Sequence, residues 1–361
     1  MKILIVNPII YTSETREIKK VNTIKDTMIY DLCLGFKAQG HEVVLAAAED
    51  YKPTQNENYP FEIIWFKAKL KRLFPANVIP FCPDIKKYVS QNKFDLIITS
   101  EVFSLNSLML SIKTKKNLIV WHELAKHNRL LHEIPSKLWY NIIARIFFKN
   151  TKIVARSLEA KKFISRFCNN VSETVVDHGV NLDKFTYQTE KENYFAVSSQ
   201  LIKRKRIDKI INAFGEYVKK YDSSCHLYIM GEGELKKELE EQVRGLDLEK
   251  NITFTGKLLH SELIEILKKA RALLVYTEKD NNMVSVVESI AVATPVITTS
   301  VPYNAGYIKE NSLGIVNDNW DENDLLKISN DKSYVESCLN YRQSLSTTSR
   351  ADTFIKISKT L

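Results

Sequence analysis

The chain has 361 residues with 44% apolar and 26% charged content, ordinary for a globular protein and enough for two domains with separate cores. Its net charge of +9 is uneven: residues 1–190 hold 28 Lys and Arg against 19 Asp and Glu, whereas residues 191–361 hold 24 of each. A basic half beside a neutral half suits a solvated lysine-rich face or contact with a polyanion, an acidic substrate or an anionic bilayer; without a recognised binding motif, nucleic acid is not expected as a partner.

Taken from the N-terminus, the apolar run Ile3 to Val6 is too short for a membrane span and lacks a signal-peptide cleavage pattern, so it reads as a buried first strand. Lys2–Val6 is followed, after a long polar stretch, by a helical pattern from Thr27 to Ala38 that Gly40 ends. Further strands are expected at residues 42–48, 61–66, 95–100, 117–121 and 152–155. This alternation implies a parallel, doubly wound sheet. Such sheets bind ligands at the carboxyl ends of their strands. The loop after Val6, Ser100 with Glu101, His122 with Glu123, and Ser157 then line the rim. The polar stretch from Tyr187 to Asn193 reads as a linker. Beyond it the pattern restarts, with strands at 195–199, 226–230, 252–256, 272–276 and 295–299. Helices are expected at 207–221, 234–244 and 261–270. Two domains follow, 1–186 and 187–342, with a C-terminal helix at about 343–361 that could pack back on the first.

The five cysteines, Cys33, Cys82, Cys168, Cys225 and Cys338, form no close pair. An odd, scattered set suits a reducing cytoplasm and argues against a disulfide scaffold or a zinc site.

The richest stretch is Glu278 to Ile297, EKDNNMVSVVESIAVATPVI. Asn281 and Asn282 tolerate turn conformations, so a helix should begin between Met283 and Ser285 and end near Ala293, before Pro295. Asp280 and Glu288 are eight residues apart, about two helical turns, so they can address opposite ends of one elongated ligand. Free N–H groups at the helix start suit a phosphate. For an isolated acid pair, a solvated surface helix explains the same pattern.

Other blocks favour a site. The stretch resembles the E-x7-E signature of retaining glycosyltransferases of the family-four (group 1) type. Asp280 stands at the first Glu, Glu288 at the second, and Ala293 at the helix-end glycine, followed by matching Thr294, Pro295, Val296 and Ile297. GHEV at 40–43, DHGVNLDKF at 177–185, SQLIKRKRID from Ser199, GEGE at Gly231, and FTGKL with HSEL around Gly256 and His260 resemble the family's remaining blocks in order. Together they cover nearly the whole chain.

The resemblance implies the GT-B fold, α/β, with two doubly wound Rossmann-like domains facing across a cleft. It implies a nucleotide-sugar donor, with UDP expected, a glycan or lipid-linked acceptor, and no metal or cofactor. Lys205 would neutralise the departing diphosphate, Glu288 would bind the ribose hydroxyls, and Asp280 with the amides of Asn282, Met283 and Val284 would hold the donor sugar. Gly231 and Gly256 would lie around the base, Asn281 beside the sugar, and His122 would line the sugar pocket from the N-terminal domain. Consistently, the sequence contains no Asp-x-Asp pair at a strand end and no close His/Cys cluster.

Departures from the family pattern set further expectations. Gln200 stands where the family has arginine and Arg206 where it has glycine, so phosphate binding leans on Lys205 with Lys203, Arg204 or Arg206 in support. The family's N-terminal Gly-Gly loop is replaced by IIYTSETREIKKVNT, a longer basic loop facing the acceptor.

Two basic-aromatic segments suit peripheral association with an anionic membrane at its inner face. The first runs from Phe66 to Phe81, with Lys67, Lys69, Lys71 and Arg72 among Leu70, Leu73 and Phe74. The second, Ser136 to Asn150, reads first as an ordinary buried helix. Alternatives to transfer are a sugar-nucleotide epimerase of the same fold and a non-catalytic nucleotide-sugar-binding subunit.

Overall fold

The computed structural model describes residues 1–11, 18, 20–114, 116–128, 130–280 and 283–361. The readings at Asn281 and Asn282, and most of the basic loop after Ile10, lie outside the described residues. The chain forms two compact units, Met1–Asn181 with Thr347–Leu361, and Leu182–Ser346. The sequence reading set the breaks at 186/187 and about 342/343.

The first unit is built on β1 Lys2–Val6, β2 Glu42–Ala48, β3 Glu62–Phe66, β4 Leu96–Ser100, β5 Leu118–His122 and β6 Lys152–Ala155. They form one parallel sheet in the order β3-β2-β1-β4-β5-β6. Near-continuous burial of the central strands fits a sheet covered on both faces. The second unit contains β7 Tyr194–Ser198, β8 His226–Met230, β9 Ile252–Gly256, β10 Leu273–Leu274, β11 Val296–Thr298 and β12 Gly314–Val316. Their order, β12-β11-β10-β7-β8-β9, is the same topology read from the other edge. In each unit the order reverses beside the first strand, between β1 and β4 and between β7 and β10. At such a switch point the two flanking loops diverge and leave a crevice at the strands' carboxyl ends.

Strands β1, β2, β6, β8 and β9 have the bounds expected from the sequence, and the other expected strands differ at their ends. The edge strand β12 was not foreseen, because three residues ending an apolar stretch carry no alternation to read.

The C-terminal helix Thr347–Ser358 packs against the helix Met28–Ala38 of the first unit. A Cβ on Gly35 would stand 2.5 Å from the Thr347 carbonyl oxygen, so glycine permits the approach. Gln39 Nε2 donates to the Thr348 carbonyl at 2.9 Å, and the Phe354 ring meets Phe36 and Trp121.

One expectation is corrected. The segment from Ser136 is not an ordinary buried helix: Ser136, Tyr140, Ala144 and Phe148 are buried, whereas Ile134, Leu138, Ile142 and Ile146 are exposed. The sequence showed its apolar residues, but the packing covers just one of the two faces that carry them.

Candidate functional site

In the second unit the loops leaving β7 and β10 meet at the switch point. Backbone contacts fix them first: the Arg204 carbonyl accepts from the Glu278 amide at 2.9 Å and from Thr277 Oγ1 at 3.3 Å. Three donors then converge on one oxygen. Asp280 Oδ2 accepts from Lys205 Nζ at 2.5 Å, Arg204 Nη1 at 3.0 Å and Thr277 Oγ1 at 3.1 Å. Two cations against one carboxylate leave an excess positive charge, and the Lys205 side chain is 11% exposed. Partial burial strengthens this field towards an incoming anion.

Of the supporting cations weighed from the sequence, Arg204 shares Asp280 with Lys205. Arg206 faces elsewhere, with Nε and Nη2 on the two Asp208 oxygens at 3.0 and 2.9 Å and Nη1 on Glu278 at 2.6 Å. Gln200 is exposed at the start of the same loop. The neighbouring glycines serve close packing. A Cβ on Gly231 would lie 1.9 Å from the Ser199 carbonyl oxygen, and one on Gly256 would lie 2.6 Å from Glu232 Oε1. Gly231 thereby seats the β8 rim against the start of the loop that carries Lys205, whereas at Gly256 the φ of 71° is what favours glycine.

Glu288 lies on the helix Val284–Ala291 and is buried. Its Oε1 is 2.8 Å from His260 Nε2, at the start of the helix His260–Lys269. The family-like block around His260 was visible in the sequence, but its pairing with Glu288 was not, because 28 residues separate them. At the helix start, the Met283 amide donates to Asn304 Oδ1 at 2.6 Å, and Asn304 Nδ2 returns to the Met283 carbonyl at 3.3 Å. That donor is therefore held inside the protein, which removes Met283 from the amides expected to face the sugar; Val284 begins the helix.

In the first unit, His122 ends β5 and is fully buried. Its Nδ1 is 3.0 Å from Glu101 Oε2, an ion-pair distance, while Glu101 Oε1 accepts from the Glu123 amide at 2.7 Å. Glu101 has φ of 66°, a left-handed conformation that a non-glycine residue adopts at a cost of roughly 1–2 kcal/mol. Burial pushes its carboxyl up, but the charge and hydrogen bond of His122, with Arg156 and the Glu123 amide, leave it below the usual range. Arg156 Nη1 binds Glu123 Oε2 at 2.7 Å and lies 3.2 Å from His178 Nε2, and its guanidinium stacks 3.7 Å from the Trp121 ring centre. Burial first, then Arg156, lowers the His178 pKa to about 3. Arg156 and His178 were not expected in this cluster. The DHGV block marked His178, but nothing in sequence paired it with an arginine 22 residues away.

Among the described residues, no three His, Cys, Asp or Glu side chains stand together as a metal site, and no helix is long and apolar enough to cross a membrane.

Comparison with known proteins agrees with this architecture. The family model "Glycosyl transferases group 1" matches residues 181–335 and "Glycosyltransferase Family 4" matches residues 26–184. The chain is 24% identical over 316 residues to the alpha-monoglucosyldiacylglycerol synthase of Streptococcus pneumoniae, covering 80% of this chain and 70% of the synthase. It is 27% identical over 170 residues to the O-antigen chain mannosyltransferase RfbU of Salmonella typhimurium, covering 46% and 47% of the two chains. Among solved structures, the lipopolysaccharide outer core galactosyltransferase WaaB aligns with a TM-score of 0.63 at 13% identity, over 98% of this chain and 99% of its own. HepE of Anabaena, solved in complex with UDP and glucose, aligns with a TM-score of 0.58 at 12% identity over 100% of both chains. At such identities the structures establish a shared fold.

Proposed function

The chain belongs to the group 1 glycosyltransferases, and from that premise we propose that it moves a hexose or related sugar, with retention of configuration, from a UDP-linked donor. The acceptor is a glycan or lipid-linked molecule of surface-polysaccharide or glycoconjugate synthesis, met at the inner face of the cell membrane, and no metal takes part. The observation that carries this reading is the pair of cations, Lys205 and Arg204, held at the carboxyl rim of β7 and β10 with Asp280. A relative named for a glucosyldiacylglycerol product and a fold neighbour solved with UDP and glucose support the acceptor and donor classes.

In this reading Glu288 accepts hydrogen bonds from the ribose hydroxyls. Lys205 and Arg204 receive the diphosphate, and Asp280 orients the donor sugar. The acceptor hydroxyl attacks the anomeric carbon on the face the diphosphate leaves. As the new C–O bond forms, the bond to the phosphate oxygen breaks, and that oxygen takes the hydroxyl proton. The growing negative charge on the diphosphate is met by fixed cations that need no reorganisation, a contribution worth about 10²- to 10³-fold in rate.

Lys205→Ala and Glu288→Ala should each reduce transfer by about 10²-fold or more while the circular dichroism spectrum is unchanged. Near-normal turnover in either refutes the assignment. Chelation by EDTA should leave the rate unaltered, and NMR of the product should show the donor's anomeric configuration. Donor turnover to an isomer without acceptor would indicate the epimerase, and UDP binding without any transfer the non-catalytic subunit.

A further inference from the structure

The helical segment from Ile134 to Phe147 carries two straight stripes at four-residue spacing. Ser136, Tyr140, Ala144 and Phe148 are at most 1% exposed, whereas Ile134, Leu138, Ile142 and Ile146 are 50% to 62% exposed. A regular α-helix, with 3.6 residues per turn, would drift by roughly 40° at each such step and smear both stripes around the axis. The wider π-helical turn at Trp139–Ala144 takes up that drift and keeps each stripe on one line. The inner stripe reaches the His122 cluster, since Tyr140 packs edge-on to both His122 and Phe163. The outer stripe faces solvent. Ile112 and Phe147, 51% and 41% exposed, extend it, and with Ile146 and Lys149 they line an open cavity of about 300 Å³.

An ordered row of exposed aliphatic residues calls for an occupant. The charges beside it indicate which. From Leu131 to Thr151 the cations are Lys137, Arg145 and Lys149, and the acidic residue is Glu133 alone, which pairs with Lys137 at 3.1 Å. A second copy docked by a two-fold axis would set these cations opposite one another. A bilayer bearing anionic headgroups complements them, while its acyl boundary receives the aliphatic row.

We infer that the Ile134–Leu138–Ile142–Ile146 stripe docks the first unit on an anionic lipid bilayer. The inference rests on the proposed membrane-face acceptor for its purpose, although its measurement needs neither donor nor acceptor. Lodging the aliphatic row at the interface would bring the helix that packs on His122 to the membrane surface.

The test uses the full chain with Ile142→Cys, labelled with a polarity-sensitive fluorophore. The five native cysteines are buried, so labelling is selective. Vesicles of phosphatidylcholine mixed with phosphatidylglycerol should shift the emission to the blue, and vesicles of phosphatidylcholine alone should shift it far less. The same label at Glu241→Cys, on the other unit, should not respond. In flotation, the triple variant Lys137→Gln, Arg145→Gln, Lys149→Gln should partition on the order of 100-fold more weakly at low salt, at about tenfold or less per charge. Leu138→Gln with Ile146→Gln should weaken partition even where the charges remain. A label unmoved by anionic vesicles, or variants that float like the parent, overturn the inference. So does concentration-dependent dimerisation that the stripe variants abolish, which would assign the row to a second copy. Retained UDP binding in a chain that fails to float would refute the docking surface and leave the proposed reaction standing.

Discussion

Replacing Asp280 with asparagine should separate two roles that the structure combines in one carboxylate. Asp280 Oδ2 occupies Lys205 Nζ at 2.5 Å and Arg204 Nη1 at 3.0 Å, the cations proposed to receive the diphosphate. It therefore competes with the ligand as an anion while orienting the sugar. At an effective dielectric constant of about 20, two unit charges ~5 Å apart interact by about 3 kcal/mol. Arg204 is 40% exposed, and water and salt reduce the repulsion between Asp280 and a bound diphosphate to about 1–2 kcal/mol. Asp280→Asn keeps the shape and an accepting oxygen but removes the charge. UDP should then bind about 5- to 30-fold more tightly by calorimetry, a gain that shrinks as salt is raised. Transfer should fall at the same time, because the donor sugar loses a charged acceptor for its hydroxyls; a tenfold or greater drop in kcat is expected. Asp208→Asn is the control: its carboxylate is held by Arg206, so UDP affinity should change little. If UDP binds Asp280→Asn no more tightly than the parent chain, Lys205 and Arg204 are not the phosphate cations and the electrostatic argument fails.

The remaining predictions use other parts of the molecule. His260→Ala should raise the donor KM several-fold with a smaller change in kcat, since His260 Nε2 positions Glu288 Oε1; unchanged KM would make the pair incidental. His178, with its pKa lowered from 6.5 to about 3, is held neutral in the fold while the unfolded chain takes up its proton. Its contribution to stability is complete above pH 6.5 and is lost as pH falls towards 3, with a slope of up to about 1.4 kcal/mol per pH unit. Denaturant midpoints across that window should fall more steeply for the parent chain than for His178→Gln. Ala293 has φ of 60°, which charges a side chain roughly 1–2 kcal/mol, part of which the greater freedom of unfolded glycine offsets. Ala293→Gly should therefore stabilise the second unit by about 0.5–1 kcal/mol in thermal unfolding, and a loss of stability would show that its buried methyl outweighs the backbone strain.

Most of the sheet was legible because a central parallel strand is buried on both faces and appears as a short apolar run, as in KILIV and EVVLAAA. The switch point was legible only through strand order, which sequence patterns imply but do not fix. What remained hidden depends on distances in space. The roles of Arg204 and Arg206 are opposite although the residues are two apart: a tight turn sends Arg204 towards Asp280 and Arg206 towards Asp208 and Glu278. The sequence placed four cations there, Lys203 to Arg206, and could not divide them. The outer stripe from Ile134 to Ile146 was hidden for another reason. Reading apolar residues at helical spacing assumes a constant period, and the π turn at Trp139–Ala144 shifts that period within a single helix.

The two residues that depart from family glycines show how a motif can lose its letters and keep its geometry. Arg206 and Ala293 stand at those positions, and both have positive φ, 44° and 60°. Glycine suits such sites because it has no Cβ to meet the neighbouring carbonyl. The retained backbone angles mean that the turns are imposed by what surrounds them. Around Arg206, the Ile202 and Lys203 carbonyls accept from Lys205 and Arg206, and the Arg204 carbonyl ties the loop to Glu278. Around Ala293, the Ile290 and Ser289 carbonyls accept from Ala293 and Thr294, which closes the helix that carries Glu288. Each strained residue thus borders one end of the proposed donor site. A nucleotide-sugar site is consequently supported less by which residues match the motif than by the backbone shape the chain maintains where they do not.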